Sequence, residues 1–259
     1  MKLFTFTLVL AGLILPFSLI KAQDAEPSVK PGKNIFKVNL SAVALSHYSF
    51  QYERVVSKKQ SFAIGFGFSP SVDLPFKKDL SDQFGGNSDA ARAIETTKFT
   101  KITITPEYRF YVGKRDAPEG FYIAPFARYV TMDLSQDYTF TPKSGNLHLA
   151  HIDGKLSGYG GGLMFGAQWL LGKQKRVSID WWIAGAFFGS FTDGDFHGTD
   201  PEMDELDADD RADLENDIES VDLPLWTVDA TIGDFFIDAK LNGTFYGARV
   251  MGICIGFRF

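Results

Sequence analysis

The feature that most constrains this chain is a period-two alternation, repeated in eight segments. Bulky apolar residues occupy one face, and glycine, small polar and charged residues occupy the other. Side chains of an extended strand point alternately to opposite faces, so the pattern specifies strands rather than helices. The segments are 34–45, 47–56, 61–69, 99–111, 121–130, 156–170, 176–190 and 244–259. In the third, Phe62, Ile64, Phe66 and Phe68 alternate with Ala63, Gly65, Gly67 and Ser69. In the fourth, Ile102, Ile104, Pro106, Tyr108 and Phe110 alternate with Lys101, Thr103, Thr105, Glu107 and Arg109. The sixth sets Leu163, Phe165, Ala167 and Trp169 against Gly160, Gly162, Gly166 and Gln168. The seventh sets Val177, Ile179, Trp181, Ile183 and Phe187 against Ser178, Asp180, Trp182, Ala184 and Ala186.

Alternation alone allows two inside-out arrangements. In a soluble sandwich the bulky face is the core; in a membrane barrel it meets lipid and the polar face lines the interior. Three features favour the barrel. Connections after the second, fourth and sixth segments are short, at 57–60, 112–120 and 172–175. Those after the third, fifth and seventh are long, at 70–98, 131–155 and 191–243. Short turns at one end and long loops at the other are the asymmetry of outer-membrane barrels. Aromatics alternate up to Phe259, and Ile255, Phe257 and Phe259 resemble the signal read by outer-membrane barrel-assembly machinery. Phenylalanine supplies 25 of the aromatics against 4 Trp and 9 Tyr, and many lie on the bulky face. The expected fold is therefore all-β: an eight-stranded antiparallel transmembrane β-barrel with long extracellular loops, one of them helical.

Residues 1–22 read as a signal peptide, with Lys2 before an apolar run and Ala22 at the cut. Residues 23–33 form a polar periplasmic lead, and 34–259 the barrel. Cys254 is the only cysteine, so no intrachain disulfide forms. The window 193–222 holds 14 acidic residues and one basic residue, Arg211, within a chain of net charge -6. Such a block is a solvated loop or helix face. Residues 200–220 are expected to form a loop helix anchored by Met203, Leu206, Leu214 and Ile218, and 90–96 a helical turn in another loop. Nothing in the charge pattern points to nucleic acid.

The inward-facing charges are Lys37, Glu53, Glu107, Arg109, Arg128, Asp180 and Arg258. Unpaired charges in a dry interior are costly, so these are expected to pair into a polar plug. A gated ion path is the alternative role. His47 and Ser49 share a face and, with Glu53 or a carboxylate from a neighbouring strand, have the composition of a hydrolytic triad. Lipid A deacylase barrels use a His/Ser pair at such spacing. Asp204, Asp207, Asp209 and Asp210 are candidate ligands for Ca²⁺ or Mg²⁺, although the EF-hand glycine and closing glutamate are absent. No phosphate-binding glycine loop, metal-spaced His/Cys cluster or nucleophile elbow occurs, so no cofactor is expected.

The stretches KVNLSAVALSHYSFQYER (37–54), ITPEYRFYVGKRDAPEGFYIAPFARY (104–129), GGGLMFGAQWLLGK (160–173) and DWWIAGAFFG (180–189) resemble a Bacteroidota family of outer-membrane barrels carrying a domain of unknown function. The resemblance implies a small OmpA/OmpX-like barrel in the outer membrane, with no established activity and no catalytic residues to transfer. The expected role is non-enzymatic, with surface loops serving envelope integrity, adhesion or partner binding. The alternatives are a lipid-modifying enzyme and a narrow ion channel. Expected partners are outer-membrane lipid, lipopolysaccharide, the assembly machinery and a surface or envelope protein.

Overall fold

The computed structural model describes residues 32–73, 77–78, 81, 95–143, 145–220 and 225–259. The expected signal peptide, residues 23–31 of the lead and residues 90–94 of the expected helical turn lie outside the described residues. The strands are β1 (Asn34–Asn39), β2 (Tyr48–Ser57), β3 (Gln60–Asp73), β4 (Lys98–Tyr111), β5 (Gly120–Phe140), β6 (His148–Leu171), β7 (Val177–Thr199), β8 (Trp226–Ile232) and β9 (Phe236–Arg258). Helix α1 (Leu40–Val43) follows β1. A 3₁₀ turn (Met203–Glu205) and helix α2 (Ala208–Glu219) lie between β7 and β8. Among the described residues no helix is long and apolar enough to cross a membrane.

All strand pairings are antiparallel. Strands β1 to β7 are neighbours in order, β7 pairs with β9, and β9 returns to β1 through Lys37↔Gly256 and Asn39↔Cys254. The sheet thus closes in a ring of eight strands. Closure leaves no row of unpaired amides and carbonyls along the ring. Two backbone bonds at the short-turn end tie the seam: Asn34 N donates to Phe259 O (3.1 Å) and Phe259 N to Asn34 O (2.9 Å).

The sheet is larger than the expected eight strands. The strand expected over 34–45 stops at Asn39, whose side-chain oxygen accepts from Ala42 N (3.1 Å) and caps α1. Beyond that level β9 loses β1 as a neighbour. The ninth strand, β8, takes the place beside it, with Trp226↔Gly243 through Ile232↔Ile237. Ser41 Oγ, just after the cap, accepts from Ile253 N (3.1 Å) where β9 runs past the end of β1. The connections expected as long loops at 131–155 and 191–243 are also largely strand. β5 and β6 pair up to Phe140↔His148, leaving only 141–147 between them. These extensions lack a clear apolar alternation because their outward face is polar.

The polarity of the sheet inverts along its strands. In the ring, the outward side chains are apolar and exposed, among them Phe66, Ile104, Phe121, Phe165, Ile255 and Phe257. The inward ones are mostly small, polar or charged along β1 to β4, and mix aromatics such as Tyr122, Phe126, Trp182, Phe187 and Phe245 with glycine, small and charged residues along β5, β6, β7 and β9. Above the ring, the outward row reads Asp137, His151, Asp153, Lys155, Asp195, His197 and Asp238. The inward row there forms an apolar cluster of Phe140, Ala150 and Ile237 with Met203, Leu206 and Leu214, and Ile218 packs against it. The acidic helix α2 therefore covers the inner face of the extension with its spaced apolar anchors. Asp207 caps it by accepting from Asp210 N (2.8 Å).

A bulge in β7 corrects the expected facing of several residues. Opposite β6, Phe165 pairs with Ala184 but Gly166 with Trp182, so Ile183 is an extra residue. An inserted residue reverses the alternation beyond it. Phe187, expected on the outer face, is buried inside, while Ala184 and Ala186 lie outside. On β9 the matching irregularity is Met251, with φ 55. Met251 and Val250 both face outward, and Arg249 turns inward.

Because Leu214 joins α2 to the sheet extension, Leu214→Ala is expected to cost about 2–5 kcal/mol locally. Limited proteolysis should then cut within 200–225 at least ten times faster, while the ring stays resistant. Unchanged cleavage there would mean that α2 is not held by this cluster.

Candidate functional site

The ring interior is built around a single ion-pair layer. Lys37 on β1 places Nζ 2.6 Å from Glu53 Oε2 on β2 and 2.6 Å from Asp180 Oδ2 on β7. Arg109 on β4 donates through Nη1 to the same Asp180 oxygen (2.7 Å) and through Nε to Glu107 Oε1 (2.7 Å). Arg249 on β9 closes the set, with Nη1 3.0 Å from Glu107 Oε2. Three cations face three carboxylates, and all six side chains are buried. Parity brings them together, since each stands at an inward position of its strand.

Neutral groups complete the layer. Gln168 Oε1 accepts from Lys37 (2.8 Å) and Arg109 (3.0 Å). Gln51 bridges Arg109 and Glu107, accepting at 2.9 Å and donating at 2.8 Å. Tyr111 OH donates to Glu53 (2.7 Å), Tyr122 OH donates to Asp180 (2.8 Å), and Ser61 Oγ also donates to Glu53. The Arg109 guanidinium stacks 4.3 Å from the Tyr122 ring centre. The Arg249 guanidinium lies 4.5 Å from that of Trp182. Tyr122 fits because its neighbour is glycine: a Cβ on Gly166 would lie 2.3 Å from the Tyr122 hydroxyl.

Of the charges expected inside, Lys37, Glu53, Glu107, Arg109 and Asp180 meet in this layer. Arg258 does not. It lies at the short-turn end, where Nε donates to Gly32 O (2.6 Å). Arg128 also stands apart, over the Phe187 ring. Arg249 was absent from the sequence-based set, because uninterrupted alternation from Phe259 puts it on the outer face. Only the paired irregularity at Ile183 and Met251 turns it inward, and no sequence signal marks that position.

His47, Ser49 and Glu53 are not assembled as a triad. Glu53 is held in the ion layer by Lys37, Ser61 and Tyr111. His47 Nδ1 contacts Ser69 Oγ instead (3.0 Å). Strand geometry separates residues 47 and 53 by roughly 20 Å, at about 3.3 Å per residue. Among the acidic candidates, Asp207 is the cap of α2 and Asp210 accepts from Lys143 N (2.9 Å). No group of three potential metal-binding residues converges among the described residues. Ile255, Phe257 and Phe259 all project outward from β9 and the residue after it. In the extension, the hydrogen bond with Asp137 (2.8 Å) raises the His151 imidazole above its ordinary value.

Chemically, the layer is a fully occupied plug rather than an open site. Asp180→Asn should remove one carboxylate from between two buried cations and cost about 3–5 kcal/mol. The double variant Lys37→Met/Asp180→Asn restores charge balance and should lose less than the two single changes summed. Urea unfolding followed by gel mobility measures both; strict additivity would show that the pair is not coupled.

No curated protein matches the chain. Residues 11–193 match the family model described as "Protein of unknown function (DUF3575)", which ends before α2, β8 and β9 begin. As that match spans well over half of the 259 residues, the chain belongs to the DUF3575 family, whose function is not established.

Proposed function

We propose that the chain is a non-enzymatic outer-membrane β-barrel with a plugged interior, whose extended end forms a surface platform for envelope integrity, adhesion or partner binding. The inversion of polarity along the strands carries this reading. Apolar side chains face outward all round the ring, and polar ones replace them outside the extension. In water the outer face of the ring would be a large continuous apolar surface, a marker of membrane or protein contact. On β5 the outward row of 121–129 runs for roughly 26 Å at about 3.3 Å per residue. A tilted membrane-spanning strand needs about 9–11 residues. Short turns, at 58–59, 112–119 and 172–176, then lie on the periplasmic side and the extension outside the cell.

The plugged interior supports a role other than conduction. Lys37, Arg109, Tyr122, Gln168, Glu53 and Asp180 fill the section with no exposed side-chain area to speak of. Eight strands leave an interior only wide enough for side chains. The separation of His47 and Ser49 from Glu53 counts against a lipid-modifying enzyme. The platform carries its own apolar cluster and a helix pinned to it, so a partner meets a preformed surface. Lipopolysaccharide surrounds this surface in the proposed setting. Ile255, Phe257 and Phe259 are the proposed contact for the assembly machinery.

Adjacent tryptophans test the embedding. Trp181 points outward at 41% exposure and Trp182 inward at 8%. In vesicles with brominated acyl chains, a variant keeping only Trp181 should be quenched several-fold more than one keeping only Trp182. Equal quenching, or none, would refute lipid contact. Planar bilayers holding the folded protein should show no steady conductance above background; a stable open channel would remove the plug from the proposal.

A further inference from the structure

The charge balance of the ion layer does not extend to the whole interior. Between that layer and the extension stand two further inward cations, Lys101 on β4 and Arg128 on β5. Neither forms an ion pair or hydrogen bond among the described residues, and Arg128 Nε is buried without a partner. Their charges act on each other and on His47. The carboxylate whose charge acts on Arg128, Glu107, is already bonded at Oε1 by Arg109 and Gln51 and at Oε2 by Arg249. Apart from Arg258 at the short-turn end, the interior therefore holds five cations, Lys37, Lys101, Arg109, Arg128 and Arg249, against three carboxylates. Two like charges enclosed without counter-charges are costly, and the cost falls when an anion joins them.

Hydrogen-bonding side chains flank the two cations. Ser69 stands directly across from Lys101 in the β3–β4 ladder, and Thr103 across from Gly67. His47 and Thr103 converge above Gly67: a Cβ added there would lie 2.5 Å from His47 Nε2 and 2.7 Å from Thr103 Oγ1. Glycine thus lets the His47 imidazole and the Thr103 hydroxyl pack against the β3 backbone, within reach of the fields of Lys101 and Arg128. Lys101 is only half-buried, so the cluster reaches toward the extended end. The donors come from three adjacent strands, which suits a tetrahedral acceptor with several oxygens, and the two unmatched charges suit a dianion.

We infer that Lys101, Arg128, Ser69 and Thr103, with His47 beside them, form a binding site for a phosphate monoester or inorganic phosphate, entered from the extended end. This is a binding site, independent of whether the ring lies in lipid. The two sources share one chemistry, a phosphate dianion held by charge-assisted hydrogen bonds.

The test uses the folded full chain in detergent, titrated by calorimetry with inorganic phosphate and, separately, with micelles doped with phosphatidic acid. Saturable binding that weakens at least ten-fold in both Lys101→Gln and Arg128→Gln supports the site. Binding of inorganic phosphate then identifies a soluble ligand, and binding of the doped micelles alone identifies a lipid headgroup. Lys155→Gln, on the outer face of the extension, should bind as the parent does. Arg128→Gln should also be at least as resistant to urea as the parent without phosphate, and should lose the upward shift in midpoint that phosphate gives the parent. No saturable binding of either probe, or equal binding by parent and both variants, overturns the site. So does a loss of urea resistance in phosphate-free Arg128→Gln, since Arg128 would then have a structural partner.

Discussion

One buried polar layer is fed by every strand of the closed ring: Lys37 from β1, Glu53 from β2, Ser61 from β3, Arg109 from β4, Tyr122 from β5, Gln168 from β6, Asp180 from β7 and Arg249 from β9. Buried ion pairs add little net stability compared with apolar packing, because desolvation offsets the attraction. Their consequence here is register. A slip of one residue in any strand carries its polar or charged member of the layer to the apolar outer face and strands its partner inside. The layer therefore admits one pairing of eight strands among many that backbone hydrogen bonds alone would permit.

Two packing regimes follow along the same strands. In the ring, polar groups are enclosed and apolar groups face out; in the extension the order is that of a water-soluble sheet with a helix on its apolar side. The change occurs without a break in the ladder between β5 and β6, which pair continuously from Gly120↔Gln168 to Phe140↔His148. A rigid sheet thus links the ion layer to the platform beyond it. In the proposed setting, the level at which the outer face changes character is the outer membrane boundary.

The period-two pattern made most of the ring legible. Phe62 to Ser69 and Ile102 to Arg109 face as alternation requires, and the inward charges of β1, β2 and β4 could be named from parity alone. The helix in the acidic segment was legible in part: the expected 200–220 narrows to Ala208–Glu219, which carries Leu214 and Ile218, whereas Met203 lies in the 3₁₀ turn and Leu206 in extended backbone after it. The extensions of β5 and β6 were hidden because a strand wet on one face, with residues such as Asp133, Ser135 and Asp137, looks like loop. Phe187 and Arg249 were misplaced for a different reason. A one-residue bulge reverses facing without leaving a compositional mark, and both Ile183 and Met251 are unremarkable strand residues.

Local side-chain chemistry decided, from the amino-acid sequence alone, that this chain forms amphipathic strands with charges on the face opposite the aromatics, because alternation is a property of neighbours along the backbone. Only the tertiary structure decided that β9 closes on β1, that Arg249 joins Glu107, and that Lys101 and Arg128 are left without counter-charges. Those outcomes depend on register and on which strands meet across the ring, and no residue carries that information until all eight strands are in place.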